Sequence, residues 1–403
     1  MQQLQWMFIN QLSEHRQPQN SFMYRCLPRD NCCIMIEQLL TLPEVYVLAV
    51  GSRSCLQFMH SPVYGKPQGR RLLYIPQSLE GCVDSSHLEA VEKAVCLAVQ
   101  RGAKGVILYL CCADVLIGTD FTHLCSRLER ETGILVRPLY RGIVATRRKT
   151  ALSSMMDIVQ ELFTAAAQDK LPEGRCVALL SKRKLAAESD LFKLLQHNGY
   201  QAVTNHCETA EEFAALARCA AAISLDSFGD GLAEWLQRCS GTQTLRAHAH
   251  FDLEMIERQL KQLSDALGFE IDRKPQLERL QKALHSALAQ PANASIAVGC
   301  ESGNFELAAG LLSLQLHVDA VFCNTLGPED QRWIDYIAVH NPHLQVCFNS
   351  RINEKAAMPQ LEKISTAIGT KAGFFCKAAR RIPMAEESAF GYEKLISLLE
   401  VMA

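Results

Sequence analysis

Val106-Ile107-Leu108-Tyr109-Leu110-Cys111-Cys112-Ala113-Asp114-Val115-Leu116-Ile117-Gly118 reads as a strand that stops at a pair of thiols and a glycine-ended turn. Residues 106–110 carry no charge, so both faces of this strand are expected to be covered, as in a parallel sheet between helices. Upstream, residues 86–100 form an amphipathic helix with a serine cap, and Gly102 to Gly105 turn the chain into the strand. Downstream, 121–132 is helical and 134–140 is a further strand ending at Arg141-Gly142. The same device occurs earlier in Val45-Tyr46-Val47-Leu48-Ala49-Val50-Gly51-Ser52-Arg53-Ser54-Cys55, an apolar strand (45–50) stopped by Gly, Ser and a cysteine. Strand and helix in alternation predict an α/β fold with a mainly parallel sheet flanked by helices.

That rhythm continues along the chain. A helix over 152–168 leads to a strand at 176–180, a Ser/Lys loop, a helix at 188–198 and a short strand at 201–204. Helix 210–219, strand 221–225 and helix 231–239 follow. A polar helical stretch, 252–288, precedes strand 294–298, a loop at 299–303, helix 304–314 and strand 320–323. Strand, Ser/Gly loop, helix and strand thus recur at 176 and at 294. The expected architecture is three Rossmann-like domains, over 1–150, 151–250 and 251–403, the last including the helical connection.

Bulk composition excludes several classes of function. The 403 residues are 48% hydrophobic and 21% charged, ordinary for a globular protein with full cores. A net charge of −2 argues against a polyanion-binding surface, so nucleic acid is not an expected partner. No apolar run is long enough to span a bilayer, and the start, Met1-Gln2-Gln3-Leu4-Gln5-Trp6, lacks the pattern of a signal peptide. There is no Gly-x-x-x-x-Gly-Lys-Ser/Thr, His-Glu-x-x-His or Cys-x-x-Cys, which removes a P-loop, a zincin and a zinc ribbon. Gly229-Asp230-Gly231 lacks the third glycine of a dinucleotide fingerprint. His248 and His250 either share a metal from one face of a strand or lie in a solvated loop. The 17 cysteines are an odd number scattered through core-like segments, as expected of thiols in a reducing cytoplasm.

Most of those thiols are expected to be small buried hydrophobes. Cys26, Cys55 and Cys112 differ in setting. Cys55 and Cys112 stand where an apolar strand ends, at the carboxyl edge where open α/β sheets collect ligands. Thiolates gathered there suit an iron–sulfur cluster, each iron taking a soft sulfur ligand. Three such ligands leave one iron unsatisfied, so the site needs another group or subunit. Cys32 and Cys33 open an expected helix at 32–40, and either is an alternative to Cys26. Adjacent Cys111 is expected to point the opposite way and pack in the core. The competing reading is three buried core thiols and no metal.

Three segments resemble the nitrogenase component 1 family. Cys26-Leu27-Pro28 is similar to its Cys-x-Pro, and Val50-Gly51-Ser52-Arg53-Ser54-Cys55 to its His-Gly-Pro-x-Gly-Cys element. Cys112-Ala113-Asp114-Val115-Leu116-Ile117-Gly118-Thr119-Asp120 is similar to its Cys-x-x-x-Leu-Ile-Gly-Asp-Asp, and places Cys112 rather than Cys111 at the ligand position. The intervals from Cys26 to Cys55 and from Cys55 to Cys112, 29 and 57 positions, are also similar. Weaker echoes are Arg141-Gly142 and Phe390-Gly391-Tyr392, the latter beginning the last helix.

The resemblance implies three Rossmann-like domains and a [4Fe-4S] or P-cluster-like group held by Cys26, Cys55 and Cys112 at a subunit interface. It implies a homodimer or a paralogous component 1 subunit as partner. It also implies an ATP-dependent iron–sulfur reductase protein that passes electrons on to a small-molecule substrate. The departures matter as well. Ser52 replaces the family's proline, which is closer to the protochlorophyllide reductase branch. The second-domain stretch Ile223-Ser224-Leu225-Asp226-Ser227-Phe228-Gly229 offers Asp226 and no thiol, and residues 382–391 hold no histidine. Dinitrogen is therefore not the expected substrate. Asp226, His248, His250, Glu386 and Glu387 are candidates to line a cavity, each with a solvated surface role as its alternative. Two rival functions are a non-catalytic cofactor-assembly scaffold of the same family and a metal-free Rossmann-type binding protein.

Overall fold

The computed structural model describes residues 7–12, 31–60, 67–140, 151–168, 174–291, 295–300, 303–323, 326–348, 362–378, 380–384 and 388–403. Cys26, Arg141, Gly142, Glu386, Glu387 and the side chains of Cys32, Cys33 and Cys112 lie outside the described residues. Chain contacts group into two compact units, one of residues 29–184 with 195–246, the other of 1–28, 185–194 and 247–403.

The short strand Met7–Phe8 (β1) belongs to the second of these units. The first opens with α1 (Asn31–Leu39) and β2 (Val45–Gly51), continues with α2 (Arg53–His60), β3 (Leu72–Pro76), α3 (Leu79–Asp84) and α4 (Ser86–Gln100), and reaches β4 (Gly105–Leu110). Then come α5 (Cys112–Ile117), α6 (Phe121–Thr132), β5 (Leu135–Tyr140) and α7 (Ala151–Gln168). Strands β3-β2-β4-β5 form an all-parallel sheet in that order. Every residue of β2 and β4 is buried, as their unbroken apolar runs predict.

Side chains alternate faces along these strands. Leu48, Val50, Val106, Leu108 and Leu110 pack with Val91 and Val95 of α4 and Phe121 of α6. Val47, Ala49, Ile107, Tyr109 and Cys111 pack on the opposite face with Met155, Val159 and Phe163 of α7. The expected core position of Cys111 is thereby met. The expected serine cap of α4 is not: Ser85 adopts a left-handed conformation (φ 61°) between α3 and α4 and makes no side-chain cap bond. Asp84 instead accepts the Ser86 N–H at 2.9 Å, because α3 leaves no extended residue to serve as a cap.

Arg71 ties the amino ends of β2 and β3 together by donating to the carbonyls of Leu40 (2.6 Å), Val45 (3.0 Å) and Leu42. Burial lowers its pKa, yet the guanidinium stays charged. Arg71→Met keeps the stem and strands three carbonyls, so it is expected to cost about 3 kcal/mol in urea denaturation. An unchanged midpoint would refute that role.

The same unit holds a second parallel sheet, β7-β6-β8-β9. Its strands are β6 (Cys176–Leu180), β7 (Gln201–Thr204), β8 (Ala221–Ser224) and β9 (Gln243–Arg246); between β6 and β7 runs α8 (Asp190–His197), whose residues 190–194 group with the other unit, and α9 (Ala210–Ala215) and α10 (Ser227–Ser240) follow. Helix α10 begins four residues earlier than its expected start because Asp226 caps it, accepting the Gly229 N–H at 2.8 Å. Gly229 lies against β6, where an added Cβ would strike the Leu180 carbonyl.

The other unit is built on the sheet β1-β12-β11-β10-β13-β14. Its strands are β10 (Ile296–Val298), β11 (Val318–Cys323), β12 (Gln345–Phe348), β13 (Thr366–Ile368) and β14 (Arg380–Ile382), parallel except for β1 against β12. The polar stretch expected as one helical connection is two helices, α11 (Leu253–Leu267) and α12 (Lys274–Leu288). Gly268 breaks it at φ 74°, donating to the Ser264 carbonyl, and Pro275 restarts it in the first turn of α12. Helices α13 (Asn304–Ser313) and α15 (Thr370–Phe375) lie on this sheet, α14 (Gln331–His340) packs on α13, and α16 (Glu393–Met402) packs against α12. The last helix starts just after Phe390-Gly391-Tyr392, with Tyr392 at its cap.

Candidate functional site at the carboxyl edge of the first sheet

The chain leaves β2 toward β3 on one side and returns to β4 on the other, so β2 and β4 flank a topological switch point. Loops diverge there and leave a crevice. Cys55 follows β2 and Cys112 follows β4. Both stand at the strand ends as expected and open helices there: Cys55 lies in the first turn of α2, and Cys112 is the first residue of α5. Ser52 starts α2, its Oγ facing the Cys55 N–H at 3.4 Å and its carbonyl accepting the Leu56 N–H. Gly118, at φ 75°, ends α5 by donating to the Asp114 carbonyl.

Gly51 makes the close packing at this edge possible. A Cβ there would clash with Cys111 Sγ and lie 3.9 Å from Cys55 Cβ. Cys111 fills that space from below, 7% exposed, whereas Cys55 is exposed. The two neighbouring thiols thus divide between core and edge. Helices α2 and α5 both begin at this edge, and the positive end of a helix dipole favours an anionic group.

Asp114 is fully buried behind the Cys112 position. Gln77 donates to its Oδ1 at 2.6 Å, and His87 Nε2 stands 3.4 Å from the same oxygen. His87 Nδ1 lies 2.7 Å from the Gly81 carbonyl, a pure acceptor, which places the ring proton on Nδ1. Gln77 Oε1, His87 Nε2 and Asp114 Oδ2 have no hydrogen-bond partner among the described residues. Burial pushes the Asp114 carboxyl up, and the Gln77 hydrogen bond and the nearby His87 offset it only in part. None of these three residues stands out in the sequence. The one signal is Asp114 itself, a carboxylate inside an apolar turn that needs partners.

Among the other candidates, Asp226 is a helix cap whose second oxygen accepts the Lys182 N–H at 2.7 Å. His248 and His250 follow β9 in no regular element, which corrects the strand reading. His250 Nδ1 meets Glu306 Oε1 and its Nε2 meets Gln259, each at 2.8 Å, so the pair does not share a metal. No group of three or more His, Cys, Asp or Glu side chains gathers as a metal site among the described residues.

Burial raises the Glu306 carboxyl, but the His250 hydrogen bond and charge, the Phe251 N–H and Arg332 outweigh it and hold the group below its usual range. A depressed folded-state value gives stability that is present above the ordinary glutamate pKa and is lost as pH falls through the folded one. Glu306→Gln is therefore expected to narrow the loss of stability between neutral pH and pH about 3. Parallel acid-unfolding curves for the two proteins would contradict this.

Residues 39–403 match the family described as nitrogenase component 1 type oxidoreductase. Two solved structures share the fold. Nitrogenase Cp1 at pH 6.5 aligns with a TM-score of 0.69 and 14% identity over 96% of this chain and 93% of that one. Nitrogenase Cp1 at pH 5 gives 0.64 and 12%, over 96% and 90%. No curated protein matches the sequence.

Proposed function

Because the chain belongs to the nitrogenase component 1 type oxidoreductase family, we propose that it is a subunit of a nitrogenase-like two-component reductase. The observation that carries the reading is the Cys55 and Cys112 pair of positions, opening adjacent helices at one switch point while Cys111 is held in the core. Cys55 and Cys112, with Cys26, would hold the iron–sulfur cluster. Such a group supplies one-electron storage when bound. The protein's own part is to present thiolates and helix N–H groups to it, and to brace α5 from behind through Asp114, Gln77 and His87.

Three protein ligands need completion from outside. Val83 on α3 and Leu116 and Ile117 on α5 are exposed apolar side chains, 88%, 70% and 51% accessible, near this edge. They suit a subunit interface, with a second copy or a paralogous component 1 chain bringing the remaining ligands. An ATP-dependent iron–sulfur protein would deliver electrons to this assembly, which passes them to a small organic substrate. With Asp226 committed to backbone N–H groups, dinitrogen is not the proposed substrate. The domains are taken as 1–150, 151–250 and 251–403, and the setting as cytoplasmic. No described helix is long and apolar enough to cross a membrane.

Anaerobic purification followed by iron and sulfide analysis tests the proposal. A colourless protein with far less than one iron per chain after reconstitution would leave the metal-free binding module. Turnover with a low-potential donor would separate a reductase from an assembly scaffold.

A further inference from the structure

Cys176 opens β6 and Cys219 lies two residues before the neighbouring strand β8. The register pairs Val177 with Ala221, and the Ala220 N–H donates to the Cys176 carbonyl at 2.9 Å, which fixes the two backbones side by side. The two Sγ atoms are 3.0 Å apart. A disulfide bond is about 2.05 Å long, so about 1 Å of side-chain movement separates the pair from a bond.

Access to the pair is one-sided. Cys219 is fully buried, whereas Cys176 is half-buried and lines a cavity of about 740 Å³ at this end of the second sheet. Arg175 and Arg218 also line that cavity with a single carboxylate, Glu212, so its walls carry a net positive charge that favours a small anionic molecule. A third thiol on the wall, Cys207, is engaged: it donates to the Thr204 carbonyl at 3.0 Å, and burial pushes its pKa up to about 11.

We propose that Cys176 and Cys219 form a redox-active dithiol that exchanges with disulfides of small anionic thiols entering through this cavity. The Cys176 thiolate attacks one sulfur of the incoming disulfide, forming a mixed disulfide and expelling one small thiolate. Cys219 Sγ then attacks Cys176 Sγ, closes the internal bond and expels the second small thiolate. The two protein thiols give up two electrons and two protons, and the small disulfide leaves as two thiols. The bond staples β6 to the entry of β8. Nothing in this step requires the cluster, so the two proposals stand or fall separately.

The test is differential alkylation with peptide mapping of the full chain, reduced and then treated with glutathione disulfide. The expected result is loss of both free-thiol peptides and gain of a linked Cys176–Cys219 peptide, reversed by dithiothreitol. Cys219→Ala should stop at a glutathione adduct on Cys176, and Cys176→Ala should leave Cys219 unmodified. Recovery of both residues as free thiols from oxidised wild-type protein, or linkage of Cys176 to Cys207 instead, would overturn the proposal. The wild-type map decides the matter if either variant fails to fold.

Discussion

Cys112→Ser is expected to lose most of its iron and its visible thiolate-to-iron absorption, while Cys111→Ser keeps both. The two thiols are neighbours in sequence, and Cys111 belongs to the core. Cys111 sits under Gly51 in the core formed with Tyr109 and Ala49, so a hydroxyl there is a stability defect of about 1–2 kcal/mol and leaves the edge intact. Cys112 begins α5 at the switch point, where a harder oxygen is a poor ligand for iron. Cys55→Ser should behave like Cys112→Ser, and its exposed position predicts little change in melting temperature. If Cys111→Ser bleaches the protein and Cys112→Ser does not, the ligand assignment is reversed and the proposed geometry fails.

Gly51→Ala is expected to destabilise the first sheet by about 1–3 kcal/mol, the usual range for over-packing a filled site. The cause is space rather than backbone freedom, since the new methyl would overlap Cys111 Sγ and Cβ at the end of a strand with no exposed residue. That attribution has a direct check. In the pair Gly51→Ala with Cys111→Ala the sulfur is gone, so the double variant should be more stable than the sum of the singles predicts, by about 1 kcal/mol. Additive denaturation midpoints would show that the strain lies elsewhere.

Elements buried on both faces were legible from their residues alone. The strands at 45–51 and 105–110, with the helices at 86–100 and 121–132, have unbroken apolar runs or a clean apolar stripe, and no tertiary partner is needed to recognise them. Of the edge strands, Leu135–Tyr140 and Gln201–Thr204 were legible and two others were not. Leu72–Pro76 ends in proline and is half-covered, and Gln243–Arg246 is mostly polar, so neither carries a two-residue period strong enough to read. Helices α2 and α5 looked like loops because they are short and follow Gly, Ser and Cys. Their starts are set by Ser52 and by strand termination at Cys111, signals that become visible only once the strands are placed. At the candidate site the edge position of Cys55 followed from the strand pattern. The Gln77, His87 and Asp114 group did not, since residues 77, 87 and 114 meet only after β3, α4 and α5 are packed. The distinction between Asp226 as a wall of a cavity and as a helix cap likewise depended on Lys182, 44 positions away.

In mechanical terms, the Asp114 knot joins four pieces of chain. The turn after β3 enters through Gln77, α3 through the Gly81 carbonyl, α4 through His87 and α5 through Asp114 itself. A displacement of α5 at Leu116 or Ile117 is therefore expected to reach α3 by way of Asp114 and His87. Docking at one rim of the crevice would be felt at the other, and slower amide exchange in α3 when α5 alone is engaged would be its mark.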